Sequence, residues 1–248
     1  MDSALLLVLT GAVVAGFVQG LSGFAFGLTA MSFWAWTVAP QLAGPLVVVC
    51  SLVGQALAIG PVRRGFDARR VLPFIIGGAV GVPLGAALLP LVDQTLFRAG
   101  LGAILVVYCP LMLAARALPR VAHGGRLADG GVGLVGGVMG GLGGLTGTPV
   151  TVWYTLRGWD KDSGRAVLQT FNLAMHALTL TVYAASGMIT AELGRLCAVA
   201  VPAMALPALA GIRLYSRIDD QAFRRLLLGL LLLSGLVLLA TSLPGLVR

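Results

Sequence analysis

The sequence predicts an all-α polytopic membrane protein made of two halves of opposite orientation, with about eight to ten helices in total. Three observations predict this fold: long stretches without charge, an internal repeat, and basic residues confined to short segments. Of the 248 residues, 58% are hydrophobic and only 10% are charged, whereas a soluble domain carries about 25% charged residues. The net charge of +8 comes from loops between apolar segments, a pattern typical of membrane proteins. It therefore does not indicate nucleic acid as a partner.

Long stretches of the chain contain no Asp, Glu, Lys or Arg. The first has room for about three spanning helices of roughly 20 residues each. Each later stretch fits one spanning helix, except that the fourth could hold a pair of short helices. The charge-free stretches are 3–62, 71–92, 99–115, 130–156, 166–191, 196–212 and 226–247.

A shift of 120 residues places six glycines of the first half on six glycines of the second. After an insertion of six residues, 93–98 also matches 219–224. Such self-similarity predicts a duplication, with a first repeat at 1–122 and a second at 123–248 in a single integral membrane domain. The glycine pairs are Gly11 and Gly131, Gly16 and Gly136, Gly20 and Gly140, Gly23 and Gly143, Gly27 and Gly147, and Gly44 and Gly164.

The basic residues predict the orientation of the helices. With the arginine-rich segment 63–70 in the cytoplasm, 14 of the 17 Lys and Arg residues lie inside, and only Arg98, Arg195 and Arg248 lie outside. By the positive-inside rule both termini are then outside. Each half becomes a glycine-rich hairpin plus three crossings, so homologous halves must be inverted, as in many secondary transporters. Whether the hairpins cross fully or re-enter the membrane is left open.

The glycine turns at 20–27 and 140–148 form the candidate binding site. Backbone N–H groups at such turns and at helix N-termini attract anions, and irregular backbone lies at membrane depth only beside protein or a wet cavity. The side chains near the turns are neutral, so the sequence predicts a site without charged groups. The alternative is that the glycines only let helices pack closely. We expect the substrate-binding residues to be Gly20, Ser22, Gly23, Gly143, Thr146, Gly147, Thr148, Gln55, Asn172 and His176.

The segment Gly20-Leu21-Ser22-Gly23 also has the G-x-S-G form of a rhomboid-like intramembrane serine protease, with His176 as the candidate base. The repeat keeps both glycines but has Leu142 in place of Ser22. The repeated feature is therefore the pair of glycines and not the serine, and we expect a protein that is not an enzyme. The protease and a non-transporting membrane interaction subunit are the alternatives. The sequence contains no catalytic motif beyond G-x-S-G, no metal-ligand cluster and no cofactor-binding motif.

The two glycine segments, "GFVQGLSGFAFGLTAMSFW" and "GGVMGGLGGLTGTPVTVWYTLRGW", resemble the sulfite exporter TauE/SafE family of membrane permeases. By length, repeat and charge pattern the resemblance covers nearly the whole chain, although its specific residues lie in the two turns. Family members often carry a glycine triplet and a nearby proline in both halves. Gly143, Gly144 and Pro149 approximate this pattern in the second half, whereas the first half has Phe24 and Thr29 at the matching places.

The resemblance implies a permease of a bacterial inner membrane that moves sulfite, an organosulfonate or a related small anion. Together with the inverted repeat, it leads us to expect alternating access around the two glycine turns. The expected partners are the small anion and the lipid bilayer. The choice of anion, the direction of transport, coupling to protons through His176 and homo-oligomerisation are left open by the sequence.

Overall fold

The computed structural model describes residues 3–57, 67–115, 120–121, 124–214 and 220–246. The predicted repeat boundary at 122–123, and Arg63, Arg64 and Arg248, lie outside the described residues. Within them the fold is all-helical, which confirms the predicted class. The α-helices are α1 (Ser3–Ser22), α2 (Phe26–Trp34), α3 (Pro40–Leu57), α4 (Ala68–Leu88), α5 (Gln94–Ala114), α6 (Gly125–Gly143), α7 (Gly147–Leu156), α8 (Lys161–Ala185), α9 (Ala191–Leu214) and α10 (Asp220–Leu246); a short 3₁₀ helix, Leu89–Leu91, follows α4.

Six helices in the described part of the chain are long and apolar enough to cross a membrane, which confirms a multi-pass membrane protein. Helices α6 and α8 have 19 and 25 residues, enough to span, but they fall outside this group because glycines and charged residues in α6 and a polar face on α8 lower their hydropathy. The six spans are Ala4–Ser22, Pro40–Leu57, Ala68–Leu91, Gln94–Ala114, Ala191–Leu214 and Arg225–Gly245.

Helices α1 and α2 form a hairpin, and so do α6 and α7. The indole Nε1 of Trp34, at the end of α2, donates to the carbonyl oxygen of Val8 near the start of α1 at 3.1 Å. In the second hairpin Trp153 Nε1 donates to Asp129 Oδ1 at 2.7 Å. Helices α2 and α7 have 9 and 10 residues, so each rises only about 14–15 Å, half the thickness of a bilayer core. Each hairpin therefore has one long arm and one short arm.

Two helix pairs pack in parallel across the two halves of the chain. Gly77 of α4 faces Gly130 of α6, and Gly85 faces Val138, so residue numbers increase in the same direction along both helices. Helix α1 packs on α9 in the same way, with Gly16 against Met204 and Gly20 against Ala208. These glycines let the backbones approach closely, as in membrane helix pairs generally.

Two further pairs, α3 with α8 and α5 with α10, run antiparallel. Gln55 of α3 contacts His176 of α8, while Gly44, earlier on α3, faces Tyr183, later on α8. On α5 and α10, Gly102 faces Gly235, whereas Gly245 faces Thr95. In both pairs, residue numbers increase along one helix as they decrease along the other.

The repeated segment 93–98 fixes the end of the short helix α2. Asp93 caps α5 by accepting from the Leu96 N–H at 2.7 Å. Arg98 donates from Nε to the Ala35 carbonyl at 2.8 Å and from Nη2 to the Trp36 carbonyl at 2.9 Å. These bonds satisfy carbonyl groups that the last turn of a helix leaves without a partner.

Replacing Gly137 with alanine is expected to destabilise the protein by about 1–3 kcal/mol through overpacking. A Cβ at this position would overlap the Gly78 carbonyl oxygen and lie 2.8 Å from its Cα, and backbone cannot rotate away. Gly131, on the same helix, has no atom within 4 Å of its Cβ position, so Gly131→Ala is the control. Thermal unfolding in detergent, followed by tryptophan fluorescence, measures the difference. Equal melting temperatures for the two variants would contradict the close packing of α4 on α6.

Candidate functional site

The glycine turns that end α1 and α6 adopt left-handed backbone conformations. Gly23 has a φ of +84° and Gly144 a φ of +69°, a region that favours glycine. Ser22 Oγ accepts from the Phe24 and Ala25 N–H groups at 3.4 and 3.2 Å and so stabilises the first turn.

The second turn lies against the start of the short helix of the first half. A Cβ on Gly27, the second residue of α2, would lie 3.0 Å from the Gly144 carbonyl oxygen and 3.0 Å from the Leu145 side chain. The α6–α7 turn and the first turn of α2 are therefore in direct contact. This contact joins the two hairpins.

A buried polar cluster lies beside the α6–α7 turn. Thr146 Oγ1 donates to Asn172 Oδ1 at 2.8 Å and lies 3.3 Å from His176 Nε2. Asn172 in turn packs on Gly147, because a Cβ there would lie 2.8 Å from its Nδ2. Thr146, Asn172 and His176 are 0%, 1% and 3% exposed, so these polar groups are removed from solvent and bond to one another.

His176 connects the cluster to the first half of the chain. Gln55 Nε2 lies 3.1 Å from His176 Nδ1, and His176 Nε2 lies 3.1 Å from the Gly144 carbonyl oxygen. An amide nitrogen donates and a carbonyl accepts, so Nδ1 accepts and Nε2 carries the proton. These bonds assign a neutral imidazole that bridges α3 and the α6–α7 turn.

Five predicted site residues are brought together: Gln55, Thr146, Gly147, Asn172 and His176. The other five serve different positions in the structure. Gly20 packs on the Ala208 backbone of α9, and Ser22 and Gly23 form the first turn. A Cβ on Gly143 would lie 3.5 Å from the Phe97 ring, an ordinary contact distance. Thr148 is buried in the first turn of α7.

Sequence reasoning missed two residues at the turns. Gly144, not Gly143, has the left-handed conformation at the end of α6. Arg165, assigned to a loop, lies in the second turn of α8, and its Nη2 is 3.3 Å from the Cβ position of Gly23. A cationic side chain therefore lies beside the first turn, where the sequence predicts only neutral groups. The signal was present, because Arg165 lies four residues before Gln169 and hence on the same helix face.

The geometry separates the two members of the proposed serine–histidine pair. Ser22 Oγ is engaged by the backbone of its own turn, whereas the ring nitrogens of His176 face Gln55, Gly144 and Thr146. A nucleophilic serine needs its base within hydrogen-bond reach. The arrangement is that of a structural turn and a separate polar cluster, not of a catalytic dyad.

Comparison with known proteins identifies the family of the chain. The family described as sulfite exporter TauE/SafE matches residues 7–238, a range that contains both hairpins and the polar cluster. No curated protein and no solved structure matches the chain. Because the family match extends over nearly the whole chain, the protein belongs to the sulfite exporter TauE/SafE family.

Proposed function

We propose that this membrane transporter moves a small anion of the sulfite or organosulfonate class by alternating access. Family membership makes the chain a permease and not an enzyme. The observation that carries the proposal is the buried cluster of Thr146, Asn172, His176 and Gln55. It joins the α6–α7 turn to α3, and thereby connects the two halves of the chain through buried polar contacts.

The chemistry of the cluster fits a small oxyanion. Hydroxyl and amide groups can donate hydrogen bonds to an oxyanion without fixing a counter-charge in the membrane. A further buried amide, Gln19, links α1 to α3, because its Nε2 donates to the Ser51 carbonyl at 3.1 Å. Thr29 and Thr179 have buried hydroxyl groups without a hydrogen-bond partner in the described residues. Such hydroxyls are the donors that a bound anion or a water molecule would satisfy.

We also propose that the halves, 1–122 and 123–248, are an inverted repeat. In this repeat each helix of the first half corresponds to the helix numbered five higher in the second half. Corresponding helices make equivalent contacts: α4 packs on α6 as α9 packs on α1, and α8 packs on α4 as α3 packs on α9. An axis in the membrane plane would make equivalent helices antiparallel. Among the described residues, the equivalent helices α3 and α8 are in contact and run antiparallel, and so do α5 and α10, which supports the proposal.

The proposed setting is a bacterial inner membrane with both termini outside. The support is the distribution of Lys and Arg along the sequence, because cytoplasmic loops are enriched in these residues. Labelling of single cysteines introduced at residues 2 and 248, in a background without the native cysteines, checks the sidedness in whole cells.

Flux measurements with the purified full chain in liposomes test the transport proposal. Saturable uptake of sulfite or methanesulfonate, in excess over sulfate and chloride, is the expected result. A pH gradient that changes the rate of methanesulfonate uptake would show proton coupling, because the charge of this anion is constant near neutral pH. Absence of flux for all four anions in folded protein would overturn the proposal and favour a membrane interaction subunit.

A further inference from the structure

A cationic side chain and a buried amide converge on the α1–α2 turn. A Cβ at Gly23 would lie 2.7 Å from Gln169 Nε2, 3.3 Å from Arg165 Nη2 and 3.5 Å from Arg165 Nε. At the α6–α7 turn the equivalent contacts are apolar, because the atoms nearest a Cβ on Gly144 belong to Val47 and Val48. A cationic side chain therefore lies beside Gly23, whereas valine side chains lie beside the Cβ position of Gly144.

Gln169 is placed to bind a ligand at this turn. Its side chain is 6% exposed, and within the described residues its amide makes no hydrogen bond. Its Nε2 is directed at the turn, 2.7 Å from the Cβ position of Gly23, where a bound anion or water molecule would accept from it. The nine-residue helix α2 begins at Phe26, three residues after Gly23, and the first N–H groups of a helix have no partner within the helix.

Four polar residues form a line along one face of α8. Arg165, Gln169, Asn172 and His176 follow one another at spacings of four, three and four residues, which places them on the same side of the helix. The first two face the Gly23 turn, and the last two belong to the central cluster. An anion that binds at Arg165 could pass along this face to Asn172 and His176.

We infer that Arg165 and Gln169, together with the first N–H groups of α2, form a second anion site that captures the substrate before it reaches the central cluster. The ligand class is a small oxyanion such as sulfite or a sulfonate. A guanidinium group presents parallel N–H donors that match two oxygens of such an anion. This inference rests on the proposed transport function and adds to it a charged capture site at the beginning of α8.

Initial rates of sulfite uptake into liposomes containing the full chain test the site. Arg165→Gln should raise the half-saturating sulfite concentration about tenfold, equivalent to about 1.4 kcal/mol, with a smaller change in maximal rate. Arg165→Lys should lie between this variant and wild type, because it keeps the charge but loses the paired donors. The half-saturating concentration of wild type should also rise with ionic strength, and Arg165→Gln should flatten that dependence.

Arg157→Gln is the matched control, because Arg157 stacks on Trp153 at 5.8 Å and lies outside the proposed site; its kinetics should equal those of wild type. Should Arg165→Gln fail to fold, Gln169→Met tests the same site, and its half-saturating concentration should rise severalfold. Wild-type kinetics with an unchanged salt dependence in folded Arg165→Gln or Gln169→Met would overturn the inference and leave the proposed function intact. Absence of flux in the wild-type protein would contradict the proposed function itself. This measurement is made before any variant is tested, so the two failures are distinguishable.

Discussion

Replacing Thr146 with valine is expected to lower the maximal rate of sulfite transport about tenfold or more, although the protein remains folded. Valine has nearly the volume of threonine but lacks Oγ1, which donates to Asn172 Oδ1 at 2.8 Å and lies 3.3 Å from His176 Nε2. A lost hydrogen bond of this kind is worth about 1–2 kcal/mol, and about 1.4 kcal/mol corresponds to a factor of ten. Initial uptake rates in liposomes, normalised to reconstituted protein, provide the measurement.

Two companion variants separate the hydroxyl group from general damage to the helix. Thr146→Ser keeps Oγ1 and should retain most of the activity. Thr155→Val removes a hydroxyl that donates to the Thr151 carbonyl of the same helix at 2.7 Å, and it should transport like wild type. If Thr146→Val transports at the wild-type rate, the polar cluster lies outside the transport path.

The second prediction concerns adjacent glycines that the sequence alone does not distinguish. Gly144→Ala should destabilise the protein by roughly 2–4 kcal/mol and abolish transport, because two effects add. Alanine in the left-handed conformation costs about 1–2 kcal/mol, and a Cβ there would lie 2.6 Å from Val47 Cγ1, which adds the cost of overpacking. Gly143 lies within α6, and its Cβ position has only ordinary contacts from 3.5 Å outward.

Gly143→Ala should therefore remain close to wild type in stability and in flux. Both variants are compared by thermal unfolding in detergent and by uptake after reconstitution. A reversed order of stability, with Gly143→Ala the less stable variant, would mean that the turn begins one residue earlier.

Much of the fold could be predicted from the sequence, because lipid exposure constrains composition strongly. Each of the six candidate spans overlaps a charge-free stretch, since a charge in the bilayer core is costly. The first stretch contains two of these spans and the nine-residue α2 in place of a third spanning helix. The spacing of Asn172 and His176 placed both on one face of α8, and the structure brings them together with Thr146. Periodicity is sufficient here because neighbouring positions on one helix share their surroundings.

The remaining features depend on which segments meet in three dimensions. Gly20 and Gly23 are alike in the sequence, yet the first packs on α9 and the second forms a turn. Close packing of helices and a left-handed turn are different requirements, but both favour glycine. The sequence therefore shows the same residue type in both cases. Arg165 was missed for a related reason. A charge next to an apolar stretch suggests a loop, and only the packing of α8 on the hairpin shows that it faces Gly23.

The parallel packing of α1 on α9 has a consequence for biosynthesis. Helix α1 ends at Ser22, but its partner begins at Ala191, so the glycine face of α1 has no native neighbour until most of the chain has been made. At about 5–20 residues per second this interval lasts roughly 10–30 s. During that time the nascent hairpin must be held by lipid or by an insertion factor in the membrane. Assembly of the protein is therefore completed only after translation of its C-terminal part, and early truncations leave α1 without its partner.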